Sequence, residues 1–295
     1  MNYLNVNDFK VFKDFWVLEG EKINLVFSNA EMNRSFNRHT EEGINNLLSL
    51  KEDFNVNEVQ YIRQIHSDKV FVYKGNDEEF IENEGDGIIT NEKSVIVGAF
   101  TADCVPVLLV DEVKCVVGAV HSGWKGTFND ISKKAVEKMI KEYGSNVEDI
   151  RAYIGPHIRQ CCYEVSEELK EKFIEKFNMI PEENLFNGRN LSMELCIESD
   201  LKTIGLKDEN IYSLKLCTHC EKESKLFSYR ASNGTYGRLF SFIYIKYRDE
   251  HNWSFKKWIL IRDEKIGKLG LLVIKWPKKG QTIPMRIIKC KILGC

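Results

Sequence analysis

The sequence has no apolar stretch long enough to cross a bilayer, only 5 prolines in 295 residues, and a net charge of just −2. A transmembrane helix needs about 20 consecutive apolar residues, so a membrane-spanning class is excluded. The opening segment MNYLNVNDFKVFKDFW lacks the apolar centre of a signal peptide. We therefore expect a cytoplasmic protein that has no membrane partner.

Residues 1–245 also lack any stretch rich in proline and glycine that would mark a linker between domains. Hydrophobic residues make up 43% of the chain and charged residues 29%, which is typical of a soluble globular protein. A chain of this length can bury a sizeable core. We predict a single domain over residues 1–245.

Residues 246–295 differ from the rest in charge. They contain 13 Lys and Arg residues against 4 Asp and Glu residues, whereas residues 1–245 contain 29 against 40. A basic tail can bind nucleic acid, but here the charges alternate with Ile, Leu and three of the five tryptophans, unlike a disordered arm. We expect no nucleic-acid partner and interpret residues 246–295 as a basic, non-native C-terminal extension, such as a frameshifted or read-through end.

The hydrophobic pattern predicts strands and helices in alternation. The segments SVIVGAFTADCVPVLLVD and KCVVGAVHSGW are almost continuously apolar, which is typical of strands buried on both faces. Amphipathic helices are predicted within TFNDISKKAVEKMIKEYG, SEELKEKFIEKF and SMELCIESDLKTIG. These elements favour an α/β or α+β fold in which helices pack on mixed sheets.

Three residues with metal-binding side chains lie at or inside apolar runs: His66, Cys104 and His121. Two imidazoles and a thiolate suit zinc, and three protein ligands leave a fourth position for water or substrate. Their spacings of 38 and 17 residues match no local zinc motif. From spacing alone, core packing or isolated hydrogen bonding is the commoner role for such residues.

The turn after His121, SGWKGTFND, combines Lys125 and Gly126 with the start of a helix. Backbone amides at a helix start, with a lysine nearby, can hold a phosphate group. The alternative is a tight strand-to-helix connection with a solvated lysine.

Cysteines supply two further candidates in YIGPHIRQCCYEV and CTHC. The adjacent pair Cys161 and Cys162 is poorly placed to form a disulfide with itself. Cys217 and Cys220 have the C-x-x-C spacing of a metal ligand pair or a redox pair, although no second C-x-x-C exists. Glu164 could act as a general base, yet an acid in the first turn of a helix is its commoner role.

Arg230 and Arg238 flank an Asn-Gly turn in FSYRASNGTYGRLFSFIYI, between segments that we predict as strands. The two guanidinium groups would either hold an anion together or form separate surface ion pairs. The sequence leaves both interpretations open.

Several of these motifs occur together in one order: QIHSDKV, DGIIT, TADCVPVLLVD, VGAVHSGWKGT, YIGPHIRQCCYEV and CT…FSYR…GTYGRLFSFI. In this combination residues 20–245 resemble the YfiH/DUF152 family. Its members were once called laccase-domain or multicopper polyphenol oxidases and are now described as purine nucleoside phosphorylases.

The resemblance implies a YfiH-like single domain of α/β/β/α layers, with mixed sheets flanked by helices. It implies Zn²⁺ bound by the residues matching His66, Cys104 and His121, and phosphorolysis of adenosine, inosine and S-methyl-5′-thioadenosine, with adenosine deamination as a companion activity. The partners would be purine nucleosides and inorganic phosphate, and we expect a monomer or homodimer.

On this basis we assign candidate roles to further residues. Lys125, the Gly123–Thr127 amides including Gly126, and Arg230 are candidates for holding phosphate, because phosphorolysis needs a cationic clamp. Asp103 and Glu164 are candidates for substrate binding or proton transfer.

The sequence departs from the family pattern at two places in this region. The usual HAGWRG is HSGWKG here, so Lys125 replaces an arginine and cannot bind phosphate in a bidentate way. The N-terminal TRxGG-like turn is not evident, and SNAEMNRSF stands in its place.

Two alternative functions belong to other classes. A copper-dependent, laccase-like polyphenol oxidase would need several coppers, and one His/Cys/His set offers few ligands for them. A non-enzymatic zinc-binding protein would have a closed site of four protein ligands, whereas an open fourth position indicates catalysis.

Overall fold

The structure is a computed structural model that describes residues 1–75, 77, 79–234 and 237–247, and the backbone of strands at 253–262, 269–277 and 290–292. The chain divides into two compact units, Met1–Lys246 and Tyr247–Cys295. The site described below lies wholly in the first unit.

The strands of the first unit follow in chain order: β1 (Asn2–Tyr3), β2 (Lys10–Phe12), β3 (Phe15–Glu19), β4 (Ile23–Ser28), β5 (Glu58–Gln60), β6 (Val70–Tyr73), β7 (Gly87–Thr90), β8 (Val95–Thr101), β9 (Val105–Asp111), β10 (Val116–Ser122), β11 (Ile150–Ile154), β12 (Phe186–Asn187), β13 (Asn190–Leu191), β14 (Ile211–Ser213) and β15 (Leu239–Ile245). Its α-helices are α1 (Glu41–Asp53), α2 (Trp124–Phe128), α3 (Ile131–Tyr143), α4 (Glu167–Lys176), α5 (Glu182–Leu185) and α6 (Met193–Thr203).

Two large mixed sheets form the centre of this unit. The seven-stranded sheet has the order β1-β14-β11-β9-β10-β7-β6, and the six-stranded sheet has the order β2-β3-β4-β15-β8-β5. Strands β9, β10 and β7 are antiparallel neighbours, whereas β11 and β14, and β6 and β7, are parallel. A small two-stranded ladder joins β12 to β13.

Helices cover the outer face of each sheet. Apolar residues of α3, α4 and α6, such as Met139, Phe173 and Ile197, share one core with the outward side chains of the seven-stranded sheet. Leu47 and Leu50 of α1 share another core with the six-stranded sheet. A third core fills the space between the two sheets. The α/β/β/α layering that the family resemblance implied is therefore confirmed.

The continuous apolar runs are explained by this layering. Along β9, Val107 and Leu109 face the helices while Leu108 and Val110 face the other sheet. Strands β8, β9 and β10 have seven residues each, and all of these residues are buried. Strands buried on both faces need apolar residues at every position rather than at alternate positions.

The predicted helices are present, and two of them begin differently. Ser166 caps α4 by accepting a hydrogen bond from the Leu169 amide, at 3.2 Å. Asp130 stands at the N-cap position of α3 but its side chain caps no amide, because its backbone is left-handed (φ 61°). Its carboxylate pairs with the Lys176 ammonium instead, at 2.6 Å.

The strand that we predicted before the Asn-Gly turn is absent from the described part of residues 224–238, which forms turns and irregular backbone. Of the two strands predicted beside the turn, the one that follows it is present in the described residues, as β15.

The second unit contains a three-stranded antiparallel sheet of β16 (Trp253–Arg262), β17 (Leu269–Pro277) and β18 (Cys290–Ile292), in that order. Within the residues that the structure describes, no helix has the length and apolar character that a membrane crossing requires.

Candidate active site

Strand pairing brings together three residues that are far apart in the sequence. β10 pairs with β9 so that His121 lies opposite Pro106, two residues after Cys104. β10 also pairs with β7, which places Val120 opposite Gly87 and therefore close to the end of the His66 loop. The ends of β7, β9 and β10 thus meet at one edge of the seven-stranded sheet.

Asp86, which directly precedes β7, holds two of these residues in place. Its carboxylate, which is buried, accepts hydrogen bonds from the Nδ1 of His121 at 2.8 Å and from the backbone amide of His66 at 3.1 Å. It also accepts from the amide and hydroxyl of Ser67, at 2.5 and 2.7 Å. Because the Nδ1 of His121 is occupied, its Nε2 is left as the atom that can ligate a metal.

The ligand atoms of His66, Cys104 and His121 all lie within 4.8 Å of one another. The Nε2 of His66 is 3.8 Å from the Sγ of Cys104, and the rings of His66 and His121 are edge-to-face, with centroids 4.8 Å apart. Gly123 leaves room for this cluster, since a Cβ there would lie 2.8 Å from the His66 ring and 3.2 Å from the Cys104 sulfur.

The backbone beside the cluster is strained. His66 has φ 59° and Asp103, next to Cys104, has φ 96°, a region that L-residues rarely adopt. The Asp103 carboxylate accepts from the Thr218 hydroxyl at 2.6 Å and from the Arg230 amide at 2.7 Å. These bonds hold the strained turn in place and tie three loops together.

The electrostatics of the cluster favour a thiolate. Burial alone would raise the pKa of Cys104, but the charge and hydrogen bond of His121, with a smaller contribution from His66, lower it to about 6. Burial likewise opposes charge on His121, yet the Cys104 thiolate and the Asp86 carboxylate raise the pKa of His121 to about 9. A thiolate near neutral pH is the form of cysteine that binds metal ions.

The three residues line a cavity of about 480 Å³, a size that suits a small-molecule ligand. Its other lining residues are Asn37, Arg38, His39, Gln64, Phe100, Thr101, Ala102, Asp103, Trp124, Ile158, Tyr163, Tyr229, Arg230 and Arg238. The wall thus combines aromatic side chains with several cationic ones.

The remaining predicted site residues divide into two groups. Asp103 and Arg230 line the cavity, whereas Lys125, Gly126 and Glu164 are not part of its lining. Lys125 is exposed, with its Nζ 5.5 Å from the centre of the Trp124 ring. The Glu164 carboxylate pairs with the guanidinium of Arg189.

Sequence reasoning missed Asp86, Arg38 and His39. Asp86 stands in the DGIIT motif, and an acidic residue directly before a buried strand was a signal that could have been noticed. Arg38 and His39 precede α1 in a polar segment without any pattern, so nothing in the local sequence indicated that they would reach the cavity.

The comparisons with known proteins agree with this architecture. A family model described as multi-copper polyphenol oxidoreductase laccase matches residues 22–246 of the chain. The chain belongs to this family. This match, together with the fold shared with a solved YfiH structure, confirms the predicted membership of the YfiH/DUF152 group.

Two relatives have names that describe an activity. A protein of Clostridium acetobutylicum named purine nucleoside phosphorylase is 45% identical over 229 residues, which are 78% of this chain and 94% of the relative. A protein of an unknown prokaryote named adenosine deaminase RL5 is 33% identical over 210 residues, 68% of this chain and 79% of that protein. These names support an enzyme with a nucleoside-processing role in this family.

The solved structure of a Bacillus licheniformis hypothetical protein, YfiH, has the same fold. It aligns with a TM-score of 0.73 and 27% identity, covering 81% of this chain and all of that one.

Proposed function

We propose that the protein is a zinc-dependent purine nucleoside phosphorylase. Its proposed substrates are adenosine, inosine and S-methyl-5′-thioadenosine, and adenosine deamination is a proposed second activity. The observation that carries the proposal is the convergence of His66, Cys104 and His121 on a cavity that arginines also line. The names of the relatives support the substrate class.

The donor set fits Zn²⁺. Two imidazole nitrogens and a thiolate sulfur are ligands that zinc prefers, and catalytic zinc sites keep three protein ligands and one open position. The three donors line the cavity, so the open position would face bound substrate. When bound, zinc supplies Lewis acidity there, which suits the activation of water for deamination.

The cationic wall fits inorganic phosphate. In phosphorolysis a phosphate oxygen attacks C1′ of the ribose while the bond from C1′ to the purine nitrogen breaks. The attacking anion must be held in place, and guanidinium groups bind phosphate in a bidentate way. Arg38, Arg230 and Arg238 all line the cavity, and we propose that they share this role.

We propose smaller roles for the predicted residues outside the lining. Lys125 adds positive charge near the cavity mouth, where Trp124 lies. Gly126 keeps its turn close to the Ser67 carbonyl, 3.1 Å from where a Cβ would stand. Glu164, whose carbonyl accepts from Arg230 at 3.4 Å, shapes the wall rather than binding substrate.

The aromatic side chains of the lining fit a purine base. Phe100, Trp124, Tyr163 and Tyr229 offer ring faces against which a flat base can stack. Asp103, with both carboxylate oxygens already accepting hydrogen bonds, is proposed to position the Arg230 loop.

The experiment is incubation of the full chain with adenosine, with and without inorganic phosphate, followed by product identification and metal analysis. Adenine and ribose 1-phosphate that appear only with phosphate would support phosphorolysis, and inosine in both conditions would support deamination. Inosine and S-methyl-5′-thioadenosine are tested in the same way.

A parallel assay addresses the laccase-like alternative. Oxygen uptake with a phenol, in a protein that contains copper and converts no nucleoside, would overturn the proposal. A protein that binds zinc but converts neither class of substrate would favour the non-enzymatic alternative.

A further inference from the structure

A second cluster of soft ligands lies outside the residues assigned to catalysis. The sulfur atoms of Cys161, Cys162, Cys217 and Cys220 all lie within 4.8 Å of one another. The Sγ atoms of Cys161 and Cys220 are 3.6 Å apart. In a tetrahedral zinc–thiolate centre, with zinc–sulfur bonds of about 2.3 Å, neighbouring sulfurs are about 3.8 Å apart. The Cys161–Cys220 separation matches that spacing, and the other sulfur pairs exceed it by at most about 1 Å.

The sheet explains why two distant pairs of cysteines meet. Strands β11 and β14 are parallel neighbours, with Ile154 opposite Ser213, so the segments that follow them leave the same edge of the sheet. The pairing continues past the strands, because His157 forms a bridge with Cys217. The amide of His157 donates to the Leu216 carbonyl at 3.2 Å, and the Thr218 amide donates to the His157 carbonyl at 3.0 Å.

A backbone hydrogen bond orients the Cys217 sulfur. The amide of Arg159 donates to the Cys217 sulfur at 3.5 Å. Hydrogen bonds from backbone amides to a ligating sulfur are the outer-shell contacts that orient metal ligands.

A divalent cation would bind the four sulfurs as thiolates, because it displaces the protons of coordinating thiols.

A disulfide accounts for these positions less well than a metal does. A disulfide has a sulfur–sulfur bond of about 2.05 Å and would use only two of the four cysteines. A single tetrahedral cation uses all four. Thiolate-only sites favour zinc among the abundant divalent cations that take this geometry.

We propose that Cys161, Cys162, Cys217 and Cys220 bind a structural Zn²⁺ ion, separate from the cluster of His66, Cys104 and His121. With four protein ligands the site is closed and takes no substrate.

The proposed ion fastens the segment after β11 to the turn after β14. The first of these segments contributes Ile158 and Tyr163 to the cavity wall. Its Ile158 amide also donates to the carbonyl of Asp103, at 2.9 Å. The ion is thus expected to hold one wall of the cavity without contacting its contents.

The test is the zinc content of the full chain, measured by elemental mass spectrometry after purification without chelators. We expect the wild type to hold two zinc equivalents, one for each cluster. The His121→Ala variant should keep one equivalent, and a Cys161→Ser/Cys220→Ser double variant should lose one. The control is Cys115→Ser, because Cys115 is a partly buried cysteine outside both clusters, and it should change nothing.

Two outcomes would overturn the proposal. One is a double variant that holds as much zinc as the wild type. The other is a wild-type protein that holds a Cys161–Cys220 disulfide and no second zinc under reducing purification.

A second measurement covers the case in which the double variant does not fold. The His121→Ala protein is stripped and reconstituted with Co²⁺, which takes the same tetrahedral site. Strong thiolate-to-cobalt charge transfer and tetrahedral ligand-field bands in the visible range are expected from four sulfur ligands. The weak spectrum of octahedral Co²⁺ would exclude a four-sulfur site.

Discussion

The two ligand clusters of this chain lie in the same unit but differ in composition and surroundings. The first combines two imidazoles with one thiol, and its residues line a cavity of about 480 Å³. The second consists of four thiols on two loops, two of them exposed. Asp86 orients the first cluster through side-chain hydrogen bonds, whereas backbone amides surround Cys217 in the second. The mixed, incomplete donor set suits chemistry, and the complete thiol set suits structure.

The largest expected difference between the clusters is in turnover. Replacing His121 with alanine removes a ligand and the partner of Asp86, so we expect turnover to fall by at least about 1000-fold, with loss of one zinc equivalent. The measurement is ribose 1-phosphate release together with zinc content. His219→Ala is the matched control, because the His219 side chain is exposed and outside both ligand sets. Wild-type turnover in His121→Ala would show that the first cluster takes no part in the reaction.

The next difference is in thiol reactivity of the metal-free protein. Since the pKa of Cys104 is lowered to about 6 and that of Cys162 is raised to about 11, Cys104 should be alkylated about 100-fold faster at pH 6.5. The Cys104 rate should fall as pH drops through about 6, while the Cys162 rate should keep rising to alkaline pH. Peptide mapping after timed iodoacetamide treatment gives both rates. Equal rates for the two thiols would contradict the assigned charge states.

Asp86 should affect zinc binding and turnover by orienting His121, not by contacting substrate. Asp86→Asn keeps the shape but loses the charge that orients His121, so we expect zinc affinity and turnover to fall about 10–100-fold. Added zinc should restore part of the turnover. Asp111→Asn is a suitable control, since Asp111 is also buried but accepts amides at the other end of β9. Equal losses in both variants, without rescue by zinc, would mean that Asp86 is merely structural.

Arg230, which lines the cavity, should contribute more to phosphate binding than Lys125, which does not. We expect Arg230→Ala to raise the KM for phosphate about tenfold, because a guanidinium in the lining is lost. Lys125→Ala should change that KM by less than about threefold, since exposed charges contribute little. The KM values of the two variants are obtained from initial rates over a series of phosphate concentrations. A larger effect of Lys125→Ala than of Arg230→Ala would indicate that phosphate binds at the turn after His121.

The smallest effect on turnover is expected from the thiol cluster. Cys161→Ser/Cys220→Ser should leave turnover within about threefold of the wild type, while Tm falls by a few degrees and responds less to a zinc chelator than the wild-type Tm does. Thermal scans with and without chelator, beside the Cys115→Ser control, provide the comparison. A loss of turnover as deep as that of His121→Ala would show that the clusters act as one site.

Much of the architecture could be predicted because burial leaves a pattern in the sequence. Strands β8, β9 and β10 are apolar at most positions, since both of their faces are covered, and the helices show capping residues such as Ser166 at their starts. The family resemblance then supplied the layer order and implied that His66, Cys104 and His121, already candidates from their residue types, bind zinc. Those ligands remain a prediction until metal is measured.

Other parts of the site leave no local pattern. Arg38 and His39 reach the cavity from a polar segment before α1. The Cys217 turn meets Cys161 only because β11 and β14 are parallel neighbours. None of these contacts follows from spacing along the chain.

The amino-acid order alone indicated most of the segments that become strands and helices, because period and capping are local properties of the chain. It also specified a set of side chains capable of metal and anion chemistry. Only the tertiary structure decided which of them stand together, since strand order in a sheet is set by packing between distant segments. That packing placed Asp103 and Arg230 in the cavity lining, left Lys125 and Glu164 out of it, and assembled four thiols from two distant loops.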